Sequence, residues 1–277
     1  MRPTTFTLAL IVIFGTACSR APSDNPEGER RANPGVHDAL KAKNPGYSGQ
    51  GQFEPRAGGF AATLRESGIS DLSPLKEMPL RELDLQNNPV TDLSPLQGLP
   101  LEALYLEGTQ VSDLRPLKGM SLRVLYLSGT KVSDLSPLRG VPLRELNLLG
   151  TQVTDLAPLY GAPLEIVWLN ETPVRDLTPL EASPLVSLTI HRTGVENLSP
   201  IRKLKTLQRL HLAETPVSDL TPLEGMELVR LIFSPGRIRK GIGVARKMSS
   251  IREIGTDLEG RLSPAVFWEM YDKGEFK

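Results

Sequence analysis

Residues Val132–Leu138 read VSDLSPL, and close copies of this stretch recur through the middle of the chain. Aligned on the leucine before the proline pair, the copies place Leu72, Leu93, Leu114, Leu135, Leu156, Leu177, Leu198 and Leu220 in register, at six intervals of 21 residues and one of 22. A period in the twenties marks a solenoid, whose units bury their apolar faces only against one another. Read outward from VSDLSPL, the full unit is L-x-x-L-x-L-x-x-T-x-V-x-D-L-x-P-L, as in LEALYLEGTQVSDLRPL from Leu101 to Leu117.

Each position has a mechanical reading. The L-x-L alternation has the period of a short half-buried strand, and stacked units would pair these strands in parallel about 4.8 Å apart. The leucines point inward as one continuous core. A polar column follows, Asn88 once and then Thr109, Thr130, Thr151, Thr172, Thr193 and Thr215. Buried there, such side chains are expected to bond the backbone of the bend and of the adjoining coil. Val132 closes the bend, Asp134 caps a short helical turn, and Pro137 sits in its first turn, where a missing N–H costs little. Because an aspartate of this kind recurs in nearly every unit, these carboxylates read as caps rather than catalytic groups.

These motifs resemble the bacterial leucine-rich repeats of the internalin type, over about residues 59–238. The resemblance implies an α/β solenoid with a parallel β-sheet on its concave face, short 3₁₀ turns opposite, and helical caps at both ends. It implies a binding protein rather than an enzyme. Most units here have 21 residues where the familiar repeat has 22.

The two ends read as covers for the terminal coils. Residues 35–58 are an N-terminal cap, with a short helix stopping near Asn44-Pro45-Gly46. Residues 59–250 are the repeats, and 251–277 a C-terminal strand and helical cap. In that last segment Ser263 is placed as N-cap and Pro264 at the first helical position, with Gly274 beyond the end. Val266, Phe267, Met270 and Tyr271 are expected to form the apolar face.

Lys+Arg and Asp+Glu are both 32, so the chain lacks the bulk positive charge of a nucleic-acid binder. The single cysteine, Cys18, excludes an internal disulfide and a cysteine metal cluster. It follows Arg2, an apolar run from Phe6 to Gly15, and the small residues Thr16 and Ala17. This beginning resembles a bacterial lipoprotein signal peptide over residues 1–17, although Gly15 departs from the aliphatic residue preferred there. The resemblance implies cleavage before Cys18, lipidation of that cysteine and a membrane-anchored envelope protein. An ordinary secretory signal is the alternative. Residues 18–34 are polar, charged and proline-containing, and read as a disordered tether.

Function is then sought on the face that the repeat leaves free. The residues between and just after the strand leucines are expected on the concave surface, exposed to solvent. The middle column is Asp84, Tyr105, Tyr126, Asn147, Trp168, Thr189, His211 and Ile232, and neighbouring columns add Glu107, Asn170, His191 and Arg209. Tyrosine and tryptophan give large contact area at low entropic cost, which suits a protein partner. A glycan stacked on Tyr105, Tyr126 and Trp168, or a structural envelope spacer, are the alternatives. His191 and His211 with Glu214 form a weaker metal-site candidate, read as polar contacts. No cofactor-binding motif is present, and no phosphate loop or nucleophile elbow.

Overall fold

The computed structural model describes residues 35–276. The signal peptide, the tether and Cys18 lie outside the described residues. Eleven strands form one sheet in strict sequence order, the architecture of a leucine-rich-repeat solenoid. Helix α1 (Val36–Lys43) precedes an antiparallel hairpin of β1 (Gln52–Arg56) and β2 (Gly59–Thr63). From β2 onward every pairing is parallel: β3 (Leu80–Asp84), β4 (Ala103–Tyr105), β5 (Val124–Tyr126), β6 (Glu145–Asn147), β7 (Ile166–Trp168), β8 (Ser187–Thr189), β9 (Arg209–His211), β10 (Arg230–Ile232) and β11 (Glu253–Gly255). The strands β3 to β10 are each followed by a 3₁₀ turn, such as Ser136–Leu138. In the last coil, helix α2 (Ile242–Lys247) follows such a turn, and α3 (Pro264–Asp272) closes the chain.

One coil explains the rest. Leu101, Leu104, Leu106, Val111, Leu114 and Leu117 are all essentially buried, and their equivalents in neighbouring coils complete a single core. In all eight repeats the Asp or Asn side chain accepts the amide proton two residues ahead, at 2.7–2.9 Å, from Asp71 to Asp219. This is an Asx turn, made from the position before the helical N-cap, which is the leucine itself. It offers the acceptor that the first amide of a one-turn helix lacks. These bonds hold the carboxyl groups of Asp71, Asp113, Asp134, Asp176 and Asp219 below their ordinary range.

The threonine column behaves differently from expectation. Each hydroxyl donates at 2.7 Å to the carbonyl three residues back in its own coil, as Thr130 does to Leu127, and none reaches the adjoining coil. Only Asn88 spans two coils. Its Oδ1 accepts from the amides of Ser67 and Ile69, and its Nδ2 donates to the carbonyls of Leu64 and Leu85. A hydroxyl has one proton and a short reach, whereas a carboxamide has two donors and a separate acceptor. In the threonine coils the bend is bridged by backbone, with Gln110 donating to Val90 and Lys131 to Val111, each at 2.9 Å.

The ends are sealed by different devices. Asn44, fully buried at the end of α1, donates to Leu40 and Asp71 and accepts from the amides of Ser70 and Asp71, which pins the N-terminal cap to the first coil. The hairpin was not evident from the sequence, where this region reads as helix and turn. At the other end Phe267 is buried against Phe233 and Phe276. Val266 is 45% exposed, contrary to the expected apolar face, and Trp268 packs on the core instead. Ser263 does hold the N-cap position, but its hydroxyl makes no capping bond.

Leu146→Ala opens a cavity between coils and is expected to cost about 2–5 kcal/mol. Asp176→Ala loses an Asx turn and is expected to cost about 1 kcal/mol. Because these carboxyls titrate below their unfolded values, their contribution is present at neutral pH and is lost as pH falls below about 4. Denaturant titrations of the two variants at pH 7 and pH 3 measure both effects, and the Asp176 deficit shrinks at the lower pH.

Candidate recognition face

Alternation along each strand sends the leucines inward and leaves three columns on the opposite, open face of the sheet. The middle column runs Asp84, Tyr105, Tyr126, Asn147, Trp168, Thr189, His211 and Ile232 in direct cross-strand register. The structure therefore brings the residues expected there onto one line.

Their exposure is not as expected. Tyr105, Tyr126 and Trp168 are half-buried, but Asp84, Asn147, Thr189 and His211 are only 4–8% exposed and Ile232 is wholly buried. The cause is lateral packing. The Tyr105 and Tyr126 rings meet edge to face at 5.1 Å between centroids. Tyr126 meets Trp168 the same way at 5.6 Å, although Asn147 separates them in the ladder. The two large rings lean over the short side chain between them. Asn147 turns its Oδ1 onto the amide of Leu149.

Carboxylates surround these rings. The Tyr126 hydroxyl donates to Glu145 at 2.9 Å. Burial, followed by the charge of Glu82 for Tyr105 and of Glu145 for Tyr126, drives both phenols well above their ordinary range. Glu107, in the next column, is pushed up to about 7, chiefly by burial, and its Oε2 is enclosed without a hydrogen-bond partner. Asp84 is bound by Arg65.

The C-terminal part of the face is of opposite character. His191 and His211 stack at 4.9 Å, and His191 Nδ1 lies 3.2 Å from the Ala213 carbonyl. Burial, and then His191, lower His211 to about 3, and neither of its ring nitrogens has a partner. Glu214 is held by Arg192 and lies 3.9 Å from His191. Among the described residues no group of three or more His, Cys, Asp or Glu is arranged to hold a metal. Arg209 is half-buried beside Arg230, which is itself bound to Glu253. Asn170 has an enclosed Oδ1 with no partner.

One rim of the face carries backbone strain. Where Gly108, Gly129 and Gly150 adopt a left-handed conformation, Glu171, Arg192 and Glu214 do the same at φ 54–57°. The conformation disfavours side chains by roughly 1–2 kcal/mol each. Here the three are joined as a ladder, with Arg192 bridging Glu171 and Glu214. Sequence reasoning missed Glu82 and Glu171, and the apolar Val124, Leu149 and Ile166 on the same face. Glu82 shares a column with Glu145 and Arg209, so strict use of the repeat register would have found it.

No protein-family model matches this chain, and no curated protein does. Solved structures share its architecture. Internalin C2 of Listeria monocytogenes aligns at a TM-score of 0.60 and 24% identity, over 74% of this chain and 96% of that one. A second Listeria internalin aligns at 0.56 and 23% identity, over 69% of this chain and 67% of that one. A leucine-rich-repeat protein of Leptospira interrogans aligns at 0.54 and 20% identity, over 69% of this chain and 59% of that one.

The two shifted groups on this face have opposite linkage. Between its ordinary value of 4.5 and about 7, the folded protein keeps a proton on Glu107 that the unfolded chain releases, so this group makes stability fall as pH rises through that window. Glu107→Gln is expected to be more stable than the parent at pH 8, by on the order of 1 kcal/mol, with the gain absent at pH 4. His211, lowered from 6.5 to about 3, makes stability rise with pH over that range, and His211→Gln removes the rise. Denaturant titrations of each variant across pH 3–8 separate the two slopes.

Proposed function

We propose that this chain is a non-enzymatic binding protein that recognises another protein across the open face of its sheet. The observation that carries the reading is the half-buried cluster of Tyr105, Tyr126 and Trp168, set on strands rather than loops. Large rings already packed against each other lose little entropy on binding, and such residues commonly dominate interface energetics. Ten parallel strands at about 4.8 Å give a face roughly 40 Å long, which fits a protein surface better than a small metabolite. The internalin-like fold is compatible with this role.

A glycan is the weaker occupant. A sugar stacks on an open, flat ring face. Here the rings meet at 84° and 73° and stand among carboxylates. The lipoprotein-like beginning of the sequence supports attachment to a bacterial cell envelope through lipid on Cys18, on the outer membrane where there is one.

Capture of the partner from solubilised envelope tests the recognition reading. Trp168→Ala is expected to lower affinity about thirtyfold, or roughly 2 kcal/mol, with an unchanged melting temperature. Arg139→Ala, beside the 3₁₀ turn on the opposite side, leaves affinity unchanged. The reverse ranking would place recognition elsewhere. Separately, Cys18→Ser is expected to move the protein from the detergent phase to the aqueous phase. An unmodified cysteine in the mature protein would exclude the anchor.

A further inference from the structure

We propose that Tyr105, Tyr126, Glu107 and Glu145 form a receptor for an arginine side chain projected by the protein partner. The proposal rests on the recognition reading above and names the chemistry of its centre.

The first observation is a local charge imbalance within a neutral chain. On strands β3 to β7 the arginines are already committed at the margins: Arg65 to Asp84, Arg81 to Glu102 and Arg144 to Glu165. Arg123 has no ion pair among the described residues, and belongs to the outer column of Arg81 and Arg144. Glu82, Glu107 and Glu145 have no basic partner among the described residues, and all three act on the tyrosine hydroxyls between them. No arginine or lysine occupies the inner columns of β3 to β7; the arginines of the inner columns, Arg209 and Arg230, stand on β9 and β10.

The second observation is independent of charge. Glu107 Oε2 is enclosed and accepts no hydrogen bond. Leaving a buried acceptor unmet is costly, and a donor brought by a partner would recover that cost on binding. The third is the rings themselves, whose faces carry negative quadrupole and attract cations. Aromatic faces, a free buried acceptor and uncompensated carboxylates converge on a cation with several donors.

A guanidinium meets those demands better than an ammonium. It is planar, so it lies against a ring while its edge donates to a carboxylate. It is also weakly hydrated, which suits a half-buried site. Charge complementarity with the β9–β10 end of a second copy is the competing occupancy, since Arg209 is an unpaired cation on the same face.

The test uses a Gly/Ser-rich peptide with two arginines, and the same peptide with citrulline, which keeps the shape and loses the charge. Binding is followed through the side-chain NMR signals of Tyr105, Tyr126 and Trp168. The arginine peptide is expected to bind at least tenfold more tightly than the citrulline peptide. Combined Glu107→Gln and Glu145→Gln substitution is expected to remove that difference, with folding checked by thermal melting. Glu165→Gln, already paired with Arg144, is expected to preserve it. Equal binding of the two peptides, or an unchanged preference in the double variant, overturns the proposal. So does sedimentation showing a dimer that Arg209→Gln dissociates, since the patch would then be filled by the chain itself. If Trp168→Ala abolishes partner capture but the double variant captures normally, the recognition face stands and the arginine receptor falls. If the peptide preference holds but Trp168→Ala captures normally, the receptor stands and the recognition reading falls.

Discussion

Each coil of this protein is fastened to the next by backbone hydrogen bonds running along the solenoid axis, and that requirement governs everything else. Leu106 donates to Tyr126, Gly108 to Ser128, Leu127 to Asn147 and Gly129 to Leu149, each at 2.8–2.9 Å. Such a ladder closes only if every coil presents its amides at the same height. The 21-residue period follows from that demand. So do the Asx turns, which bend every coil at the same place, and the buried leucines, which keep the coils equally thick. A coil that bent one residue late would strand polar backbone against an apolar core.

With the backbone so constrained, variation is confined to the columns that face outward. It is ordered there rather than scattered. The β3–β7 end gathers rings and uncompensated carboxylates, and the β9–β10 end gathers Arg209, Arg230 and the histidine pair. The same lateral packing that fixes the rings buries their smaller neighbours. Asn147 and Thr189 are therefore better regarded as floor beneath the cluster than as contact residues.

Most of the architecture was legible in the sequence because a repeat multiplies a weak local signal. One VSDLSPL is ambiguous, and eight in register are not. The open-face residues were legible by the same register, and the structure aligns them as read. Exposure was not, because it depends on how far each neighbour leans, and two rings meeting over Asn147 leave no trace in residue order. Nor was the difference between threonine and asparagine in the polar column, where reach across a coil boundary decides the bonding. The caps were half legible. Pro264 and Gly274 mark the limits of α3, but which of Val266 and Trp268 turns inward depends on the coil beneath.

The ladder also makes distance on the open face a counted quantity. Tyr126 and Trp168 are two strands apart because one coil stands between them. Excision of the 21 residues from Leu143 to Pro163 would leave Leu164 in the place of Leu143. The Leu127 amide, which meets the Asn147 carbonyl, would then meet that of Trp168, the group Leu148 now meets at 2.8 Å. Both rings would survive, one strand step of about 4.8 Å apart instead of two. The geometry of this face is digital: contacts are added, dropped or respaced by whole coils, while the scaffold beneath closes as before.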